Sequence, residues 1–140
     1  MPSFVDTNVL VYAEDSEAKD KQRLARDLVL ELWDLRDGVL SVQVLHEFFV
    51  TVTRKLKKPL TVGKARDIVD EYLTWNVVDN TGPILLAAID LQRHAKLSFW
   101  DALVVQAAIT AGCDRLYSED LNAGQRFGDL VIVNPFAAAL

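Results

Sequence analysis

The sequence of 140 residues predicts an α/β fold, with a mostly parallel sheet covered by helices on both faces. Three observations carry this prediction. Short apolar runs of strand length alternate with stretches of helical periodicity. Capping residues, glycines and prolines fall between them, where elements must start and stop. Strands and helices alternate along the chain rather than segregating, which is the pattern of a sheet built from crossover units.

Residues 3–6 read as the first strand and 8–13 as a short helix behind it. Glu14-Asp15-Ser16-Glu17 is a polar break. Residues 19–35 form an amphipathic helix, with Leu24, Leu28, Leu32 and Leu35 on one stripe. Asp37-Gly38 is a turn signal, 39–40 a very short strand, and Ser41 caps a helix over 42–56. Pro59 breaks the chain, and Thr61 caps a helix that runs to residue 75. Residues 76–78 form a third short strand. Gly82-Pro83 opens a helix to residue 95, because proline is tolerated in a first turn. Ser98 caps a helix over 99–111, which Gly112 ends. Residues 115–117 and 130–133 are the last strands, with a Gly-containing loop between them, and the tail from Asn134 is a terminal turn or frayed helix.

The length suits one domain, over residues 1–140, with a proper core. The hydrophobic fraction of 51% is that of a well-filled globular chain. No apolar run approaches the roughly 20 residues of a membrane span. The N-terminus shows no secretory signal, and Cys113 is the only cysteine, which excludes an internal disulfide and suits a reducing cytoplasm. Fifteen Lys and Arg against twenty Asp and Glu give a net charge of -5. That argues against a nucleic-acid coat protein, whose footprint is basic. It leaves room for a nucleic-acid enzyme, since carboxylates gathered around a cation lower the formal charge.

Four acids invite a functional reading beside a structural one. Asp6 ends the first strand just before a helix, the usual place for chemistry in an open α/β sheet. Asp6, Thr7 and Asn8 are equally good helix caps. Asp101 lies three residues after Ser98, the spacing of a capping box, yet shares its helical stripe with Val104, Val105 and Ala108. An unpaired charge on an apolar stripe is costly. Glu47 lies on the polar stripe of its helix with Gln43, Thr51 and Arg54, where an ordinary exposed glutamate would also lie. Asp120 follows a strand in a polar loop, beside Glu119, and either acid could point inward. Other chemistries lack parts. His46 and His94 have no metal-ligand spacing, Cys113 reads as a packed thiol, and no P-loop, GxGxxG or GxSxG is present.

In their order along the chain, these acids resemble those of the PIN-domain nucleases, and among them the VapC toxins of prokaryotic toxin–antitoxin pairs. The resemblance spans nearly the whole length. It rests on Phe4-Val5-Asp6-Thr7-Asn8-Val9-Leu10, on the stretch 41–49 containing Glu47, on Leu97-Ser98-Phe99-Trp100-Asp101-Ala102-Leu103, and on Leu116-Tyr117-Ser118-Glu119-Asp120-Leu121. It implies a three-layer α/β/α sandwich in which the acids meet at one end of the sheet. It also implies a Mg²⁺- or Mn²⁺-dependent endoribonuclease. By position, Asp6 and Asp101 would be the main metal ligands, and Glu47 and Asp120 would complete the acidic cluster. Thr7 and Asn8 would support Asp6 through hydrogen bonds, and Ser118 fits a hydroxyl position before the last acid.

The chemistry is consistent, because Mg²⁺ is hard, prefers oxygen and keeps several waters. Two rival readings remain. One is a phosphohydrolase with Asp6 as nucleophile, although no second Asp stands two residues after it. The other is a non-catalytic binding module, with the acids as caps lying far apart.

Cations for RNA phosphates are densest at Arg54-Lys55-Leu56-Lys57-Lys58, followed by Lys64 and Arg66. Cations there also complement a helix C-terminus. Lys19, Lys21, Arg23 and Arg26 read as the solvated face of their helix. The resemblance further implies a homodimer and a VapB-type antitoxin partner, for which apolar surface within residues 24–35 and 42–52 would offer a groove. Those stripes are more often core.

Overall fold

In the computed structural model, which describes residues 1–137, the sheet is built outward from β1 (Ser3–Val5). β1 is flanked by β2 (Gly38–Ser41) and β4 (Arg115–Tyr117), and β3 (Asn76–Val78) lies beyond β2. β6 (Leu130–Val133) lies beyond β4, and β5 (Arg126–Phe127) forms the far edge, giving the order β3-β2-β1-β4-β6-β5. All pairings are parallel except β5 with β6. The two-residue β5 falls within what the sequence shows only as a loop. It pairs solely with the neighbouring β6, so it lacks the apolar run that announces an inner strand.

The strand sequence runs from β1 toward β3 on one side and toward β6 on the other. The order therefore reverses between β1 and β4. In an open parallel sheet, a crevice forms at such a reversal, outside the carboxyl ends of the strands.

The helices are α1 (Thr7–Glu14), α2 (Asp20–Leu35), α3 (Val42–Arg54), α4 (Val62–Tyr72), α5 (Gly82–His94) and α6 (Phe99–Thr110). Their starts follow the capping logic of the sequence. The side chains of Ser41, Thr61 and Ser98 accept from Val44 N, Lys64 N and Asp101 N, and each relieves one of the unpaired donors at a helix start. Gly112 ends α6 with a φ of 73°, a conformation glycine adopts without strain. α3 and α4 stop short of the expected residues 56 and 75. Leu60 N folds back onto Val52 O, and Trp75 N turns onto Tyr72 O.

The buried stripe of α2 is Ala25, Val29 and Leu32, so of the expected leucine row only Leu32 is buried, and Leu35 is 59% exposed. Leu24 and Leu28 only flank the contact, because α2 presents its small and branched positions to the layer beneath. Phe4, Val5, Leu40, Leu116 and Ile132 fill the sheet's faces, together with Val9, Leu10, Phe48 and Val105 from the helices. Burying side chains of this size contributes about 1.5–3 kcal/mol each. A smaller cluster of Ile84, Ala88, Ala102 and Leu103 joins α5 to α6.

At the amino end of the sheet, Trp33, Tyr72 and Trp75 pack against one another with ring centres 5.3–5.4 Å apart. A Cβ on Gly38 would collide with the Trp75 ring, so only glycine lets β2 pass there. At the other terminus, Asn134 Oδ1 accepts from Phe136 N at 2.9 Å and sets a turn that buries Phe136 completely. The alanines beyond residue 137 lie outside the described residues.

Candidate active site

Strand register creates the site. Val5 pairs with Tyr117 across β1 and β4, and Asp6 N donates to Tyr117 O at 2.9 Å. Asp6 and Ser118 therefore leave the sheet side by side at the point where the strand order reverses. Asp6 is also the N-cap of α1. Its Oδ1 accepts from Thr7 N at 2.8 Å, while its Oδ2 accepts from the Ser118 hydroxyl at 2.8 Å. Capping and facing the crevice are one geometry here, because the extended backbone at Asp6 turns the carboxylate along the helix axis.

Ser118 is fully buried and saturated. Besides donating to Asp6, its Oγ accepts from Asp120 N at 3.1 Å and Leu121 N at 3.4 Å, which shapes the loop after β4. Asn8 ties that loop to α1. Its Nδ2 donates to Asp6 Oδ2 at 3.3 Å, to Ser118 Oγ at 3.3 Å and to Asp120 Oδ2 at 3.1 Å, while its Oδ1 accepts from Glu119 N at 3.0 Å. Asp120 thus faces the site. Glu119 faces away and pairs with Lys21 at 2.6 Å. Lys21 is accordingly not part of a merely solvated face.

Glu47 approaches from α3, on the other side of β1. Its Oε2 accepts from the Thr7 hydroxyl at 2.8 Å and its Oε1 from Gln43 Nε2 at 2.9 Å. Thr7 therefore serves two acids, Asp6 through its backbone and Glu47 through its side chain. Gln43 is only 6% exposed, and its Nε2 also donates to Trp100 O at 3.3 Å. It links Glu47 to the first turn of α6. The sequence shows Gln43 four residues before Glu47, on one face, but gives no sign that it is buried.

Asp101 stands in that first turn. Its backbone N–H donates to Ser98 Oγ at 3.1 Å, half of the expected capping box. Among the described residues its carboxylate makes no bond to Asp6, Glu47 or Asp120, and Gln43 with Trp100 is the link between them.

Burial pushes the Asp6 carboxyl up to about 6, and the charges of Glu47 and Asp120 push it the same way. The bonds from Ser118 and Thr7 pull in the opposite direction but do not prevail. None of the ion pairs among the described residues involves Asp6, Glu47, Asp101 or Asp120. Repulsion among the acids is therefore left without a protein cation.

Beside these acids opens a cleft of about 680 Å³, whose walls include Thr7, Asn8, Tyr12, Glu47, Lys55 and Asp120. A cleft of similar size, about 720 Å³, lies at the opposite end of the sheet, with Trp33 and Trp75 among its walls. It opens at the amino ends of the strands, where this kind of sheet does not place its chemistry.

The residues fit a hard divalent cation in donor chemistry, for the carboxylates of Asp6, Glu47 and Asp120 and the side chains of Thr7, Asn8 and Ser118 that bond them offer oxygen. Among the described residues, no three acidic, His or Cys side chains are drawn together closely enough to hold one ion by themselves. A cation that keeps several waters requires only one or two direct carboxylates. Cys113 is no rival, because burial pushes its thiol up to about 12.

A family model described as the PIN domain matches residues 3–126. No curated protein sequence matches the chain. Among the solved structures that share its fold are three from toxins and toxin–antitoxin complexes. A toxin–antitoxin complex from Klebsiella pneumoniae superposes with a TM-score of 0.70 at 19% identity, covering 95% of this chain and 97% of that one. VapBC2 from Rickettsia felis, bound to a DNA fragment from its promoter, gives 0.64 at 18% identity, with 94% and 97% covered. The sarcin–ricin loop cleaving toxin VapC20 of Mycobacterium tuberculosis gives 0.63 at 20% identity, with 84% and 89% covered.

Proposed function

The chain belongs to the PIN-domain family, and on that premise we propose that it is a Mg²⁺- or Mn²⁺-dependent endoribonuclease, the toxin of a VapBC-type pair. One observation carries the reading. A buried carboxylate, Asp6, is pushed up to about 6 beside two further acids with no protein cation among them, at the crevice of a parallel sheet. Such an arrangement costs stability unless something positive is bound, and functional sites are where such costs collect. The solved structures that share the fold come from toxins and toxin–antitoxin complexes, which supports the choice of RNA as substrate and of an antitoxin as partner.

Asp6 and Asp101 would be the main ligands of the cation, and Glu47 and Asp120 would complete the acidic cluster through water. When bound, the cation would neutralise a phosphate oxygen and lower the pKa of a bound water. The chain's own part is to aim and to accept. Ser118 and Thr7 fix the Asp6 carboxylate, and Gln43 and Thr7 fix Glu47. Among the described residues Asp120 receives a side-chain bond at Oδ2 only, which leaves Oδ1 for the proton of an attacking water. Attack on phosphorus opposite the 3′-oxygen breaks the P–O3′ bond and yields 5′-phosphate and 3′-hydroxyl ends. Lys55, on the cleft wall, supplies positive charge for the RNA backbone.

The partners follow from surfaces. An apolar groove of about 360 Å³, lined by Leu45, Phe49, Val50 and Val69, shares His46 and Val50 with the acidic cleft. An antitoxin segment lying there would cover the site. Exposed Leu85, Leu86 and Ile89 on α5 give a second copy an apolar face for a homodimer. Among the described residues no helix is long and apolar enough to cross a membrane, in keeping with action on cytoplasmic RNA.

The decisive experiment incubates antitoxin-free protein with structured RNA, with Mg²⁺, with Mn²⁺ and with chelator, beside Asp6→Asn. Cleavage should require the metal and disappear in the variant. Metal-independent cutting, or full activity in Asp6→Asn, would refute the mechanism.

A further inference from the structure

Two acids adjoin at the end of β4, and only one faces the crevice. We propose that Lys21 and Glu119 form a clamp that positions the segment 118–120, holding Glu119 out of the site so that Asp120 occupies it. This rests on the nuclease reading of the crevice.

Glu119 is anchored at both ends. Its backbone N–H donates to Asn8 Oδ1 at 3.0 Å, and its Oε1 accepts from Lys21 Nζ at 2.6 Å. The pair is shielded rather than open, each side chain being only about a quarter exposed, at 27% and 26%. Lys21 Nζ lies 5.0 Å from the centre of the Tyr12 ring and 5.7 Å from that of Phe136, within reach of favourable cation–π attraction. Those two rings meet edge to face at 5.1 Å. The cation is thus fixed by α1, by α2 and by the C-terminal turn, the last of which lies beyond the residues matched by the family model.

The consequence is electrostatic as well as geometric. Lys21 offsets the charge of Glu119, which stands next to Asp120 in the chain. Without Lys21, Glu119 would add a further negative charge within one residue of Asp120 and could compete for its place. With it, Glu119 is held away from the crevice, and the Ser118 hydroxyl stays in line with Asp6. Lys21 is therefore a positioning residue, not an RNA contact.

A double-mutant cycle tests this with Lys21→Met, Glu119→Gln and the two combined, with Lys21→Arg as the conservative variant. Each disruptive single change should lower kcat about tenfold, as loss of a support behind a metal ligand does. KM for RNA should stay within about twofold, the double variant should be no worse than the poorer single, and Lys21→Arg should be close to wild type. Amide exchange supplies a readout independent of catalysis. The N–H groups of Asp120 and Leu121 should exchange faster in the disruptive variants, while those of β2 stay unchanged.

Additive losses, or a raised KM at constant kcat in Lys21→Met, would overturn the clamp, the second by making Lys21 a phosphate contact. If wild-type protein cuts no RNA with either metal, the nuclease reading fails. Exchange at 119–121 then decides the clamp alone, and unchanged rates refute it.

Discussion

The Ser118 hydroxyl donates to Asp6 Oδ2 at 2.8 Å across 112 residues of chain, joining the ends of β4 and β1. Ser118→Ala removes that donor and also the acceptor for Asp120 N and Leu121 N. A buried group left without its partner costs about 1–3 kcal/mol, which denaturant melting would register. The Ser118 bond is also one of the two that pull the Asp6 pKa down. Its loss should move the acid limb of the pH–rate profile upward. An unmoved limb would show that Ser118 does not tune Asp6.

The raised Asp6 carboxyl makes the metal-free protein sensitive to pH. The folded state holds this proton up to about 6, whereas the ordinary value is 3.8. Between those values the folded state binds more proton than the unfolded one, so stability falls as pH rises through the window and is flat above it. The full span corresponds to roughly 3 kcal/mol at most. Asp6→Asn cannot ionise and should flatten this slope while abolishing cleavage. Denaturation in chelator at pH 4.5 and 7.5, on both proteins, would reveal equal slopes if the assignment is wrong.

Cation binding should release protons from Asp6 at acid pH. Below about 6 a fraction of Asp6 is protonated, and a ligand cation must displace that proton. Calorimetric Mn²⁺ titrations at pH 5.5, in buffers of differing ionisation enthalpy, should report release that vanishes at pH 8. Binding should also stabilise the fold by mass action, by about 2.7 kcal/mol at a metal concentration a hundred times Kd. Release that is equal at both pH values would point to a ligand other than Asp6.

Gln43→Leu should separate stability from function. Among the described residues Gln43 Oε1 is buried with no partner, so removing the amide eliminates one unsatisfied group even as it breaks two bonds. Stability should change by no more than about 1 kcal/mol. The rate should fall about tenfold, toward that of Glu47→Gln. A variant as fast as wild type would mean that Thr7 alone suffices to hold Glu47.

What the sequence determined by itself was local. Ser41, Thr61 and Ser98 could be read as caps, and Gly112 as a stop, because each acts on backbone groups within a few residues. The alternation of short apolar runs with helices likewise predicted the parallel sheet, since strands buried on both faces are apolar throughout. Asp6 was legible in both roles, as a cap and as an acid at a strand end.

Tertiary structure decided which residues meet. Periodicity does not encode strand order, so nothing local could place Ser118 against Asp6 or Gln43 between Glu47 and Trp100. It decided between Glu119 and Asp120 in the same way, because the deciding partner, Lys21, lies 98 residues away on α2. It also buried Ala25 and Val29 with Leu32 in place of Leu24, Leu28 and Leu35, because the buried face of a helix is chosen by the layer it lands on. The acids were present in the chain from the start. Their geometry exists only because β1 and β4 are neighbours, which places two distant strand ends at one crevice.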